Sequence, residues 1–215
     1  YTLMLALAVS SCGDNKKSYD EIASSGRTTR TENLKSNLTS FTNKGVMVGQ
    51  MYGTLEGIGW KNEKSRSDFY NICHDNPAVN GYELSGIESG NKKNSDGLPF
   101  SWIAQNVISN FRHGAMIIMN WTAPDYKGNK DLLESYVKSL SNFISGLQDG
   151  YGIKVPIVLY LYPVDGKSWY CRLSTDEYKK LYEDTKDMLD DNDVTNVVFG
   201  YSETYTGGTL FERYP

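Results

Sequence analysis

Five apolar runs of strand length punctuate the chain from residue 44 onward. They are Gly45-Val46-Met47-Val48-Gly49, the neighbourhood of Ala78-Val79, Ala115-Met116-Ile117-Ile118-Met119, Val155 through Tyr162, and Val197-Val198-Phe199-Gly200-Tyr201. Each is continuous rather than alternating, the pattern of a parallel strand buried on both faces. Between the later runs the period becomes helical. Leu133, Tyr136, Val137, Leu140, Phe143, Ile144 and Leu147 make one stripe over residues 131–149, with Gly150 as the stop. Ser174-Thr175-Asp176-Glu177 is a capping box opening a helix that turns Tyr178, Leu181, Met188 and Leu189 inward, and Trp102, Ile103, Val107 and Phe111 mark another. Strand and helix in alternation predict an α/β fold, a parallel sheet with right-handed crossovers. After the first run, Gly49-Gln50-Met51-Tyr52-Gly53 lacks the spacing that cradles a dinucleotide, which favours a (β/α)8 barrel over an open doubly wound sheet. Five strands in roughly 170 residues match the rate of a barrel that closes in about 250, so an incomplete TIM barrel of about five βα units is expected over residues 44–215.

The first 43 residues follow another logic. Leu3-Met4-Leu5-Ala6-Leu7-Ala8-Val9 is apolar but too short to span a bilayer, and Val9-Ser10-Ser11-Cys12 fits the bacterial lipobox. Residues 1–12 therefore read as a lipoprotein signal peptide whose Cys12 carries the lipid. Residues 13–43, rich in Ser, Thr, Asn and Lys, read as a flexible tether with room for one short helix. No Met and no basic stretch precede Tyr1, so the natural sequence is expected to begin further upstream. The expected location is the bacterial cell envelope, at the outer membrane or cell surface, with membrane lipid as a partner; one anchored terminus implies a monomer reaching outward.

Composition narrows the chemistry. A net charge of −4 supplies no cluster of cations to displace counterions from a phosphate backbone, which argues against nucleic acid as a partner. Cys73 and Cys171 could pair in an oxidising compartment, but one pair in a domain this size is no disulfide framework, and free thiols are preferred. No cysteine pair has ligand spacing and His74 and His113 are the only histidines, so neither a metal site nor a cofactor is expected.

In a barrel the reactive residues follow the strands. Gln50, Tyr52, Glu56 and Trp60 follow the first run, and Tyr82, Glu83 and Glu88 the second. Asn120, Trp121 and Asp125 come after the third, Asp165, Trp169 and Tyr170 after the fourth, and Tyr201, Ser202 and Glu203 after the fifth. Aromatic faces beside carboxylates suit pyranose rings, whose C–H faces stack while their hydroxyls take bidentate hydrogen bonds. Trp60, Tyr82, Glu83, Trp121, Trp169, Tyr170 and Tyr201 are the candidate substrate-binding residues. With 16 tyrosines in the chain some must reach strand ends by chance, and Asp165-Gly166 is also a turn dipeptide.

Several segments, in order, resemble motifs of glycoside hydrolase family 26, the endo-β-1,4-mannanase family of (β/α)8 barrels. Gly57-Ile58-Gly59-Trp60 matches its GIGW, and residues 77–88, PAVNGYELSGIE, resemble PAVxGWDLGGIE. Asn120-Trp121 falls where the family has SWH, Val155-Pro156-Ile157-Val158 opens the strand that continues as FRPFHEMNG, and Tyr201-Ser202 and Phe211-Glu212-Arg213-Tyr214-Pro215 are similar to YS and RYPG. The resemblance implies retaining hydrolysis of β-mannosidic bonds in mannan-type polysaccharide by two carboxyl groups. It also shows departures. The His-Glu pair that supplies the family's acid is replaced by Pro163-Val164, Gln50 and Thr122 stand where the family has histidines, Tyr160 or a neighbour replaces an arginine, and the nucleophile is expected beyond Pro215. Asp165 and Glu203 are the candidate catalytic stand-ins. The alternative is a catalytically silent surface lipoprotein that binds polysaccharide.

Overall fold

The computed structural model describes residues 21–42, 44–204 and 212–215; the segment expected as a signal peptide, with Cys12, lies outside them. Helix α1 (Thr29–Phe41) is followed by β1 (Gly49–Met51), a small hairpin of β2 (Glu56–Gly57) and β3 (Trp60–Lys61), and α2 (Asp68–Cys73). Then come β4 (Val79–Glu83), α3 (Phe100–Arg112), β5 (Met116–Trp121), α4 (Lys130–Ser145), β6 (Ile157–Leu161), a 3-10 turn (Trp169–Arg172), α5 (Thr175–Asp191) and β7 (Val197–Gly200). Strands β1, β4, β5, β6 and β7 form one all-parallel sheet in that order, so each neighbour in space is the next long element in sequence. This is the succession of a (β/α)8 barrel, with five strands present among the described residues.

Two expectations shift. The first strand begins at Gly49, directly after Val46-Met47-Val48, and Val46 and Val48 are 90% and 55% exposed. Gly49 pairs with Val79, and a Cβ on Gly49 would sit 2.7 Å from the Val79 Cβ, so the close approach that starts the pairing needs a glycine there. The segment expected as tether holds α1. Thr28 caps that helix by accepting from the Thr31 amide, and its own amide donates to the Thr195 carbonyl (2.9 Å). Arg27 Nε donates to the Val197 carbonyl (2.9 Å), which fixes the start of α1 beneath β7.

The two faces of the sheet differ because side chains alternate along a strand. Tyr82, Ile117, Met119, Trp121, Ile157 and Leu159 pack outward onto the helices, joining Ile103 and Val107 of α3, Leu133, Val137, Leu140 and Ile144 of α4, and Tyr178, Leu181 and Leu189 of α5 in one core. Each fully buried aliphatic side chain there contributes about 1.5–3 kcal/mol. The other face is concave: Gly49, Met51, Val79, Gly81, Met116 and Ile118 line a hollow of about 510 Å³ that Leu38, Phe41 and Met47 also border. Strand β5 consequently alternates buried and half-buried positions, where the sequence pattern predicts burial on both faces. The capping box of α5 is complete: Ser174 accepts from the Glu177 amide and Glu177 accepts from the Ser174 amide. Cys73 and Cys171 are free thiols, the first exposed and the second half-buried.

Candidate active site

The register of the sheet decides which strand-end residues share a side. Glu83 pairs with Asn120, Asn120 with Tyr160, and Tyr160 with Gly200. These four lie in one row at the C-terminal ends of the strands, on the concave face, because each is two residues beyond one that lines or pairs into that face: Gly81, Ile118, Val158 and Val198. A polar row therefore tops an apolar interior. Gly200 is required in it, since a Cβ there would meet the Tyr160 ring at 2.7 Å.

Glu83 is the most elaborately held member. Its Oε1 accepts from the amide of Ser85 (2.9 Å) and from the Ser85 hydroxyl, which also donates to the Thr122 carbonyl (3.0 Å). The Glu83 amide donates to the Tyr52 hydroxyl (3.1 Å), which donates to Asp96 (2.6 Å) and accepts from Asn94 (2.9 Å). Burial raises the Glu83 carboxyl above its ordinary range, the bonds from Ser85 and Thr122 oppose this, and the charge of Asp96 adds to the rise. Tyr52 thus ties the loop after β1 to the end of β4.

Asp165 sits in the exposed loop after β6. Its Oδ1 accepts from the amides of Lys167 (2.7 Å) and Ser168 (2.8 Å) and its Oδ2 from the Ser168 hydroxyl (2.8 Å). Desolvation disfavours its charged form, but these bonds, with the Cys171 thiol at 3.4 Å, outweigh it and hold the carboxyl at about 2. A group so acidic is ionised at any ordinary working pH and has no proton to give. Glu203 is brought next to this loop: Val164 and Glu203 bridge in parallel as an extension of the β6–β7 pair, and Tyr201 donates to Glu203 (2.8 Å).

The aromatic candidates fall into two sets. Trp169 and Tyr201 are half-buried. Trp169 donates its indole N–H to the Ala123 carbonyl (2.8 Å) and meets Tyr126 edge to face at 5.7 Å. Tyr82, Trp121 and Tyr170 are each 0% exposed, and Trp60 is 4%. This corrects the reading of these four as sugar platforms, because a closed-off ring cannot stack on a ligand. Tyr82 points outward to α3, donating to Asn106 (2.6 Å) and accepting from Asn110 (2.8 Å). Trp121 also faces outward and donates to Glu88 (3.1 Å), itself 8% exposed. Tyr170 donates to the Pro163 carbonyl (2.9 Å) and packs on Tyr162 and Trp169. Trp60 belongs to the hairpin and not to the main core; its indole donates to Asp68 (2.8 Å) and Arg66 stacks on its ring. Glu83, Asp165, Trp169, Tyr201 and Glu203 thus share the C-terminal end of the sheet, while Trp60 stands apart. Asn120, noted only as a strand-end residue, and Tyr160, noted only at the position of the family's arginine, are absent from the candidate substrate-binding set, and alternation from Ile118 and Val158 is the signal that places them in it. Among the described residues no three His, Cys, Asp or Glu side chains are grouped closely enough to hold a metal ion.

No family model and no curated protein sequence matches the chain. Solved structures do. The family 26 β-mannanase of Bacteroides ovatus superposes with a TM-score of 0.82 at 27% identity, over 88% of this chain and 63% of that one. An endo-β-1,4-mannanase from Cellulomonas fimi gives 0.73 at 20% identity, over 92% and 50%, and the GH26C protein of a Muricauda species gives 0.74 at 19%, over 88% and 60%. The chain has the fold of the family 26 glycoside hydrolases and spans between half and 63% of the length of these neighbours.

Proposed function

We propose that the chain is glycan-active on β-1,4-linked mannan-type polysaccharide, and that its reaction is retaining hydrolysis of internal β-mannosidic bonds. The observation that carries this reading is the mannanase-like fold with a polar row, Glu83, Asn120 and Tyr160, capping the apolar barrel interior at the end where barrel enzymes hold their substrates. Trp169 and Tyr201 are half-buried rings suited to stacking, and Glu83 offers a carboxyl for sugar hydroxyls. A second reading, a silent polysaccharide-binding protein, is favoured by the Pro163-Val164 replacement and by the committed carboxylate of Asp165. Both readings predict retardation of the full chain in a native gel containing soluble β-mannan. Release of reducing ends from the same mannan selects hydrolysis; migration unaffected by mannan, with no product formed, rejects both.

The lipobox reading adds a second part to the proposal: the chain is exported and anchored in the cell envelope through a lipid on Cys12. Labelled palmitate supplied to expressing bacteria is then incorporated into the protein, and Cys12→Ala abolishes the label. Equal labelling of both forms would rule the anchor out.

A further inference from the structure

We infer that Glu83 is the proton donor of this cleft, placed on the inward side of the last residue of β4 where its carboxyl meets a glycosidic oxygen held against the polar row. The inference rests on the hydrolytic reading above. Of the carboxyl groups at this end of the sheet, Asp96 and Asp125 lie in exposed loops, where Asp96 accepts the Tyr52 hydroxyl and Asp125 the Lys127 amide, and the surroundings of the remaining three separate them. Asp165 is spent on its own turn by four donors. Glu203 accepts the Tyr201 hydroxyl and sits on the β6–β7 extension, beyond the strands proper. Glu83 is on a barrel strand, shares its row with Asn120 and Tyr160, and is half-buried.

The groups around Glu83 come from three separate elements. The loop after β1 brings Tyr52, whose hydroxyl holds the Glu83 amide; the loop after β4 brings Ser85 and Asp96; the end of β5 brings Thr122. The charge of Asp96 acts on the carboxyl in the same sense as its burial. Burial and a like charge both favour the neutral acid, and a carboxyl kept neutral is what protonation of a leaving group requires. Tyr52 and Asn94 act as positioning residues, because they fix the backbone from which the carboxyl projects.

The step balances as hydrolysis. The Glu83 O–H proton passes to the glycosidic oxygen as the C1–O bond breaks, its electron pair moves to that oxygen, and a carboxylate on the opposite face of the sugar bonds to C1. Water, giving its proton back to Glu83, then displaces that carboxylate as its hydroxyl bonds to C1, so the configuration is retained.

The test compares two leaving groups in wild type and Glu83→Gln. Against mannan, whose alkoxide leaves only when protonated, the variant is expected to lose about 100- to 10,000-fold in kcat/KM, which reports the step that breaks the glycosidic bond. Against a dinitrophenyl β-mannoside, whose phenolate leaves unaided, the loss is expected to stay within about tenfold, since general acid assistance is then dispensable. The folded-state carboxyl is raised, so its stabilising effect is full below the unfolded value and is lost as pH rises through the folded one. Gln removes that loss, and the variant should melt no lower than wild type at neutral pH. Equal losses on both substrates, or no loss on mannan, overturn the assignment. A wild-type chain that binds mannan without hydrolysing either substrate overturns it too while leaving the binding reading intact; failure to bind removes both.

Discussion

Replacing Trp121 by alanine is expected to cost about 3–5 kcal/mol of stability, the range for truncating a large buried aromatic. Two losses combine. The indole is wholly enclosed, lying against Tyr162 with ring centroids 5.6 Å apart, so its removal leaves a cavity in the outward core. The indole N–H is also a donor to the buried carboxylate of Glu88, whose other described donor is the Gly86 amide. At roughly 2–4 °C per kcal/mol for a chain of this size, the midpoint should fall by about 6–20 °C in thermal unfolding. Trp121→Phe should recover much of the packing and leave the missing hydrogen bond as a residual cost of about 1–3 kcal/mol. An alanine variant within about 1 kcal/mol of wild type would mean that the indole does not fill the space described.

Tyr178→Ala is the second large effect, and it should reach the rim as well as the core. Tyr178 is 0% exposed and touches Tyr170, Tyr182 and Tyr201, with the Arg213 guanidinium stacked 5.8 Å from its ring. Its hydroxyl donates to the Tyr162 carbonyl (2.8 Å). Alanine is expected to cost about 3–5 kcal/mol and, by loosening Tyr201, to weaken retardation by mannan. Tyr178→Phe should cost about 1–3 kcal/mol, the cost of a buried carbonyl without its donor, and leave mannan binding unchanged. Denaturant unfolding of the three proteins separates the ring from the hydroxyl. A phenylalanine variant as unstable as the alanine one would refute that division.

How much of this was legible in the sequence depends on where each signal is stored. Strands β5, β6 and β7 and helices α3, α4 and α5 were readable because their apolar periods are long and local, and Ser174 with Glu177 marked a helix start to the residue. Strand β1 was displaced because Val46, Met47 and Val48 look more strand-like than Gly49-Gln50-Met51; what selects the latter is contact with Val79, thirty residues away. Helix α1 rests on Leu34, Leu38 and Phe41, one stripe too short to stand out, and on bonds to Thr195 and Val197 that no local pattern encodes.

The candidate site was readable as a list of strand-end residues but not as a direction. Tyr82 and Glu83 are adjacent, yet one goes to the helices and the other to the concave face; a shift of one residue in register exchanges them. Of the six aromatic candidates, four are therefore enclosed as support and two, Trp169 and Tyr201, stay half-buried. The fate of Asp165 was hidden for a different reason: its acidity comes from a turn closed by its own next few residues, where the family resemblance drew attention to the strand before it.

The bonds that seat Arg27 and Thr28 under Thr195 and Val197 carry a consequence for orientation. Those partners lie at the beginning of β7, so the polypeptide enters the fold at the end of the sheet opposite Glu83, Asn120 and Tyr160. Glu21, whose carbonyl accepts from the Thr29 amide, therefore approaches the fold at the foot of the sheet, away from its mouth.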